Sequence, residues 1–184
     1  VLDFGEEEGF PYSIMELVTG QTLDQYLRRK GIITDRLALQ VVAHLCTALA
    51  VAHDAGIVHR DLKPANLFVC LDRDGTAYGT KVLDFGVALS LRQSDGTMGL
   101  TQSGAVVGTP RYMAPEQIRG HKVDARTDQF AMGLILYGML TGRLPYDAAV
   151  YEALVVEIAT VTPPSPRVFV SDLPEGLAEV VLKA

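Results

Sequence analysis

The side chains best able to do chemistry are concentrated in the stretch HRDLKPAN, which runs from His59 to Asn66. It contains a carboxylate at Asp61, an ammonium group at Lys63 and an amide at Asn66. Carboxylate and amide oxygens are hard ligands or proton acceptors, and a neighbouring cation can neutralise developing negative charge. The stretch is therefore a candidate site that combines a proton acceptor, a cation and a hard oxygen ligand within one short segment.

A second carboxylate, Asp84, opens a DFG triplet 23 residues after Asp61. It directly follows the apolar run KVL, which predicts that it lies at the end of a strand. A triplet alone is weak, because chance matches of three residues are common. Here HRDLKPAN, LDFG, GTPRYMAPE at 108–116 and DQFAMG at 128–133 occur in one order over nearly the whole chain. In order and spacing these motifs resemble the catalytic domain of protein kinases.

The resemblance implies a role for each of these side chains. Asp61 would accept or orient the proton of the substrate hydroxyl, and Lys63 would meet the γ-phosphate during transfer. Asn66 and Asp84 would hold Mg²⁺ against the phosphates of ATP. Lys63 also indicates the substrate class. In the family that this sequence resembles, kinases that act on Ser and Thr carry Lys at this place, whereas tyrosine kinases carry Ala or Arg in the same loop. The implied cofactors are ATP and Mg²⁺, and the implied substrates are Ser and Thr hydroxyls of proteins.

The run YSIMELV resembles the segment that contacts adenine in the same family. Met15 occupies the gatekeeper place, and the backbone of Glu16 and Val18 would bond the adenine edge. Phe68 falls where the family places an apolar side chain beneath the adenine ring. An ordinary buried strand and an ordinary core phenylalanine remain open as alternatives for these positions.

Regulation by phosphorylation is also implied by the resemblance. An Arg before the catalytic Asp, here Arg60, belongs in the family to a cationic pocket that receives a phosphate from the activation loop. Thr101 and Ser103, in LTQSG, match paired positions that bacterial kinases of this type phosphorylate on themselves. Thr109, in GTP, is interpreted instead as a contact to the catalytic residues. A solvated loop without a switch is the alternative.

Two acidic residues are interpreted as structural. Glu116 of APE is expected to pair with an Arg near the end of the domain, although no Arg follows Arg167 in this sequence. Asp128 keeps the carboxylate that in the family anchors the backbone of the catalytic loop. Three histidines do not show the spacing of metal ligands, and we interpret them as solvent-facing or helix-surface residues: His44, His53 and His121.

Periodicity and capping residues predict the elements that must position these groups. Residues 1–18 read as two strands joined by a turn, and further strands are expected at 66–71 and 80–85. Thr22 and Gln25 form a capping box for a short helix that ends before Gly31. Later helices are predicted at 35–53, 128–140, 148–160 and from about 174, with a polar loop at 90–108 and an extended linker at 163–167.

The fold class implied by the resemblance is α+β, a protein-kinase-like fold with a mostly helical C-lobe, the last strands of the N-lobe and the hinge. We expect residues 1–184 to be a partial kinase domain. Residues 1–15 would end the N-lobe sheet, 16–21 would form the hinge, and 22–184 would form a C-lobe truncated at its C-terminus. Neither a Gly-rich GxGxxG loop nor a VAIK-like run with its Lys precedes the hinge. Residues 1–184 alone should therefore be inactive as a kinase.

Composition limits the partners. The 184 residues are 48% hydrophobic and carry a net charge of −6, which argues against binding to nucleic acid or anionic membrane. Cys46 and Cys70 lie in apolar runs and are predicted to be buried free thiols of a reducing, cytoplasmic compartment. The longest near-apolar run, 130–140, is too short to span a bilayer. No membrane contact is expected from this segment, although the parent protein could carry a membrane span and could dimerise for autophosphorylation.

Three functions compete. The leading one is a signalling Ser/Thr kinase that resembles the bacterial Hanks type, because all four catalytic and metal-binding residues are present. A kinase-like scaffold without activity is the second, and the sequence upstream would separate the two. An aminoglycoside-type phosphotransferase is the third, since it shares the spacing of Asp61 and Asn66, but it gives no reason for Lys63 or APE.

Overall fold

The computed structural model describes residues 2–84 and 110–184. The chain is an α+β domain with two small antiparallel sheets and a larger helical part, as predicted. Strand β1 (Asp3–Glu7) pairs with β2 (Phe10–Ile14) in a hairpin. Its turn passes through Glu8 and Gly9, both at positive φ, which matches the right-handed twist of a tight hairpin.

A three-stranded sheet adjoins the HRDLKPAN stretch, because its middle strand begins directly after Asn66. It consists of β3 (Gly20–Thr22), β4 (Leu67–Leu71) and β5 (Ala77–Val82), in the order β3-β4-β5. The sequence analysis missed β3, because three residues are too few to show a strand period. The strand predicted at 80–85 begins and ends earlier. It begins earlier because the Asp72 carboxylate accepts from the backbone N–H groups of Asp74 and Thr76 and tightens the preceding turn.

Six helices are found in the described residues, and those predicted from sequence begin within a few residues of the expected positions. The Thr22 and Gln25 capping box is present and begins α1. Asp124 caps the fourth helix and starts it before the predicted residue 128, since its carboxylate accepts from the N–H of Arg126. The helices are α1 (Leu23–Lys30), α2 (Asp35–Asp54), α3 (Pro115–Ile118), α4 (Ala125–Thr141), α5 (Tyr151–Thr160) and α6 (Glu175–Lys183).

Helix α4 lies at the centre of the main core. It packs against α2 and α6, and side chains along its whole length are buried. A helix that is apolar on all sides is expected only where it is enclosed by other elements. The predicted extended linker at 163–167 instead enters a short 3₁₀ turn, Pro166–Val168, beside this core.

Helix α2 is apolar as well as long. It has 20 residues and a window with a mean hydropathy of 1.4, so by length and composition alone it could cross a membrane. Its sequence does not form the longest uninterrupted apolar run, because charged and histidine residues interrupt it. The core helix of a globular domain passes the same test, and four side chains of α2 are buried in this core: Ala38, Val41, Leu45 and Leu49.

The two cysteines differ in burial. Cys70 on β4 is buried, as predicted, whereas Cys46 on α2 is exposed and its prediction was wrong. The apolar run around Cys46 did not show which side of the helix faces inward. Leu45 and Leu49 occupy the core-facing side, and Cys46 lies to one side of them, with its Sγ 3.5 Å from the Sδ of Met132.

Candidate active site

The catalytic-loop candidate lies between the end of α2 and the start of β4, and its backbone is unusual. Arg60 has φ of 68° and Asp84, at the end of the segment after β5, has φ of 52°. Glu8, in the hairpin turn, is the other non-glycine residue at positive φ in the described residues. Left-handed backbone at such residues is maintained only where surrounding contacts enforce it. Arg60 directly precedes the candidate base Asp61, and Asp84 is itself a candidate Mg²⁺ ligand.

Two predicted residues, Lys63 and Asn66, converge on the carboxylate of a third, Asp61. The Lys63 ammonium donates to Oδ2 of Asp61 at 2.8 Å, and the Asn66 amide nitrogen lies 3.1 Å from the same oxygen. The amide nitrogen of Asn66 also donates to the backbone carbonyl of Asp61 at 2.8 Å. Both bonds use the nitrogen of the amide, so the amide oxygen of Asn66 is directed elsewhere. The structure therefore brings Asp61, Lys63 and Asn66 together as the sequence predicted.

His59 joins the catalytic loop to the segment that carries Asp84. Its ring is fully buried, Nδ1 accepts from the backbone N–H of Asp61 at 3.3 Å, and Nε2 lies 3.0 Å from the carbonyl of Leu83. Because a carbonyl can only accept and a backbone N–H can only donate, the proton is on Nε2. The N–H of Leu83 donates in turn to the carbonyl of Asn66 at 2.8 Å. Asp84 is therefore held next to Asn66.

Asp128, on α4, holds the backbone of the loop that carries Asp61. Its side chain is only 1% exposed, and it accepts from the backbone N–H groups of His59 at 2.8 Å and Arg60 at 2.9 Å. The Nε2 of His53, at the end of α2, lies 2.7 Å from Oδ2 of Asp128. A buried carboxylate is tolerated only with such partners. The arrangement is the one that the sequence analysis expected for Asp128, with His53 as an additional partner.

The donor set is suited to Mg²⁺ bound together with phosphate. The Asn66 amide and the exposed Asp84 carboxylate supply hard oxygen ligands, and Lys63 supplies a cation beside them. Within residues 2–84 and 110–184, no group of three or more His, Cys, Asp and Glu side chains could hold a metal by itself.

Three of the four expected adenine-contacting residues, Met15, Glu16 and Val18, lie between β2 and β3. The Met15 side chain is 57% exposed, and the Glu16 carboxylate pairs with the Lys81 ammonium on β5. The hydrogen bond from Lys81 holds the pKa of Glu16 below its usual value. Phe68 is partly buried on β4, and its ring lies so close to Gly20 that a Cβ there would be 2.7 Å from it. The position of Phe68 is compatible with one wall of a nucleotide site.

Helix α3 carries Glu116, and Arg111 and Tyr112 lie shortly before it. Glu116 accepts a hydrogen bond from the hydroxyl of Thr127. The Arg partner near the end of the domain stays a prediction, since the sequence has no Arg after Arg167. The Arg111 guanidinium lies 2.6 Å from the Asp147 carboxylate. Burial raises the pKa of the neighbouring Tyr112 to about 12. Three predicted residues lie outside the described residues: Thr101, Ser103 and Thr109.

Sequence reasoning missed three residues that hold the site together. His53 and His59 were each given no separate role, and Gln117, which donates to the carbonyl of Arg60 at 2.6 Å, was not considered. Only the position of His59 inside HRD could have drawn attention to it.

Two cavities, of about 420 and 270 Å³, border Lys183 and Ala184 and do not include Asp61. Hydrogen-bond geometry identifies this site, and cavity volume does not.

Comparison with known proteins agrees with this geometry. The family described as protein kinase domain matches residues 1–168. Serine/threonine-protein kinase pkn3 of Myxococcus xanthus is 42% identical over 167 residues, which cover 90% of this chain and 30% of that protein. Serine/threonine-protein kinase PknB of Mycolicibacterium smegmatis is 40% identical over 190 residues, covering 100% of this chain and 29% of that protein. The chain thus spans less than a third of the length of these relatives.

Proposed function

This chain belongs to the protein kinase domain family, and on that premise we propose that it transfers the γ-phosphate of ATP to Ser and Thr hydroxyls of proteins. One observation carries the proposal: Lys63 and the Asn66 amide both contact one oxygen of the Asp61 carboxylate. This contact leaves the other oxygen of Asp61 to meet a hydroxyl. The names of the serine/threonine kinases that the chain resembles support the same substrate class.

Asp61 is the proposed proton acceptor. Its side chain is 46% exposed, so a protein hydroxyl can reach it, while its orientation is set by Lys63 and Asn66. As the hydroxyl oxygen bonds to the γ-phosphorus, the bond from that phosphorus to the β,γ-bridging oxygen breaks, ADP leaves, and the hydroxyl proton passes to the Asp61 carboxylate. Lys63 lies where it can neutralise negative charge that develops on the transferred group, because charge stabilisation contributes most to phosphoryl transfer.

Asn66 and Asp84 are the proposed ligands of Mg²⁺. The metal, when bound, neutralises the charge on the phosphates and holds them for attack. The chain's own contribution is to fix the two ligands relative to each other through the bonds from Leu83 to Asn66 and from His59 to Leu83. Met15, Glu16, Val18 and Phe68 are the proposed contacts of the adenine.

We also propose that these residues act within a larger catalytic unit. The sequence has no GxGxxG loop and no strand Lys before residue 15, and both are needed to grip the phosphates in this family. Residues 1–184 alone are therefore expected to be inactive. A signalling role, a cytoplasmic location and dimerisation for autophosphorylation are part of the proposal, and the net charge of −6 supports protein partners over nucleic acid.

The proposed function is tested with Asp61→Asn in the full-length gene product. The amide keeps the shape of the side chain but accepts a proton poorly, so kcat should fall by about 10²–10⁴ while the KM for ATP stays within about threefold. Asp74→Asn, an identical change in the exposed turn before β5, is the matched control and should keep wild-type rates. A variant at Asp61 that retains more than about a tenth of kcat would show that Asp61 is not the base.

A further inference from the structure

Gln117 connects helix α3 to the catalytic loop through one side-chain amide. Its Oε1 accepts from the backbone N–H of Ala114 at 3.0 Å, and its Nε2 donates to the carbonyl of Arg60 at 2.6 Å. Because the two bonds require an acceptor at one end and a donor at the other, the amide has only one satisfactory orientation. The bond to Arg60 spans 57 positions of sequence.

The peptide group that Gln117 holds is the one before Asp61. Arg60 has φ of 68°, and its N–H is fixed by the carboxylate of Asp128 at 2.9 Å. Its carbonyl is fixed by Gln117, so residue Arg60 is held at both ends by α4 and α3. The same peptide plane contains the N–H of Asp61, which donates to the carbonyl of His59 at 2.9 Å. The plane fixes the backbone nitrogen and the Cα of Asp61, from which the Asp61 side chain extends.

We propose that Gln117 is a positioning residue for phosphoryl transfer, acting through the Arg60 carbonyl to orient the Asp61 carboxylate. The side chain of Gln117 also links the loop that carries Asp61 to Ala114, the residue directly before α3. The inference rests on the proposed kinase activity. A merely structural role, as the cap of α3 alone, would affect stability and leave the rate of the chemical step unchanged.

Gln117→Glu separates the two roles. The ionised carboxylate can still accept from Ala114 and keep the cap, but it cannot donate to Arg60. When protonated, the introduced carboxyl regains a donor. Its proximity to a carbonyl oxygen and its partial burial should raise its pKa above the ordinary value of about 4.3. The rate relative to wild type should therefore rise as the pH falls. Gln117→Met, which keeps the length of the side chain and loses both bonds, should give a relative rate that does not change with pH.

The experiment is single-turnover phosphoryl transfer by the full-length gene product between about pH 8 and pH 5.5, where single-turnover rates isolate the chemical step. At pH 8 both variants should be slower than wild type by about tenfold or more, since small misplacements of a catalytic group cost this much, while the KM for ATP stays within about threefold. Across the range, Gln117→Glu should regain at least about threefold relative to wild type as it becomes protonated. Gln40→Glu, an identical change at an exposed position of α2, should match wild type throughout.

The outcomes discriminate between the proposals. A wild-type rate for Gln117→Glu at pH 8, where the cap is kept and the bond to Arg60 is lost, would overturn the role of Gln117 and leave the proposed function intact. No transfer by the wild-type protein would instead overturn the proposed function itself. If Gln117→Met does not fold, the rate of Gln117→Glu at pH 8 decides alone.

Discussion

Asp61 and Asp128 are two carboxylates that the fold treats in opposite ways. The Lys63 and Asp61 side chains are 24% and 46% exposed, and ion pairs this open contribute about 0–1 kcal/mol because water and salt screen them. The contact therefore serves orientation more than stability. Asp128 is buried, and removing its donors would leave an unpaired internal charge that costs several kcal/mol. One carboxylate stays available to a substrate proton while the other holds the loop.

Asp84→Asn tests the metal assignment at the scale of a single residue. Replacing the carboxylate with an amide removes the negative charge that holds Mg²⁺ but keeps the side-chain shape. We expect phosphoryl transfer to fall and the Mg²⁺ concentration for half-maximal rate to rise by about tenfold or more. The measurement is a Mg²⁺ titration of initial rate, with Asp74→Asn as the control. Normal rates at every Mg²⁺ concentration would refute the assignment.

At the scale of elements, the beginning of α4 determines where Asp128 lies. The Asp124 carboxylate accepts from the N–H of Arg126 at 2.9 Å and forms an ion pair with its guanidinium at 2.8 Å. The hydrogen bonds from Arg126 lower the pKa of Asp124 to about 2. Both groups are exposed, so screening reduces the ion pair to a minor contribution, and the cap is the larger one.

Two variants of Asp124 separate the cap from the ion pair. Asp124→Ala loses both and should lower the Tm by roughly 2–4 °C, whereas Asp124→Asn keeps a capping side chain and should stay near wild type. The folded-state pKa lies below the unfolded value of about 3.9, so the carboxylate's contribution is complete above that pH and is lost as the pH falls toward about 2. Thermal unfolding from pH 8 to about pH 2 checks both points. Equal losses in Ala and Asn variants would mean that the charge dominates.

Elements with local signals could be predicted from the sequence, and those fixed by distant contacts could not. The capping box at Thr22 and the apolar periodicity of α2 are encoded within a few residues, so both helices were placed correctly. Strand β3 exists because its three residues pair with β4, almost 50 positions later in the chain. No period within three residues can reveal that pairing.

The residues of the candidate site show the same difference between local signals and distant contacts. Motif order was sufficient to place Asp61 and Lys63 together, because they lie within one loop. The bonds from His53 to Asp128 and from Gln117 to Arg60 span 75 and 57 positions. They depend on how α2, α3 and α4 pack, which is information that single-sequence patterns do not contain.

At the scale of the whole molecule, the catalytic loop is the meeting point of separate chain segments. It follows α2, is anchored by α4, is contacted by Gln117 of α3 and is joined to the end of the sheet through Leu83. A change in residues 85–109, which connect Asp84 to the segment before α3, can therefore reach Asp61 from two directions. This connectivity gives a physical reason why modification between these two points would alter catalysis.

The last prediction is that phosphorylation of Thr101 and Ser103 raises activity. Each phosphate adds nearly two negative charges at neutral pH and would pair with a cation such as Arg60, whose backbone is already fixed by Asp128 and Gln117. The double variant Thr101→Ala with Ser103→Ala should lose most of the activity, about tenfold, if such a switch operates. Ser94→Ala with Thr97→Ala, the same changes in the same stretch of sequence, should lose little. Mass spectrometry of the active full-length gene product, with rates before and after phosphatase treatment, checks the prediction. Unmodified residues and an unchanged rate in the first double variant would show that no switch operates there.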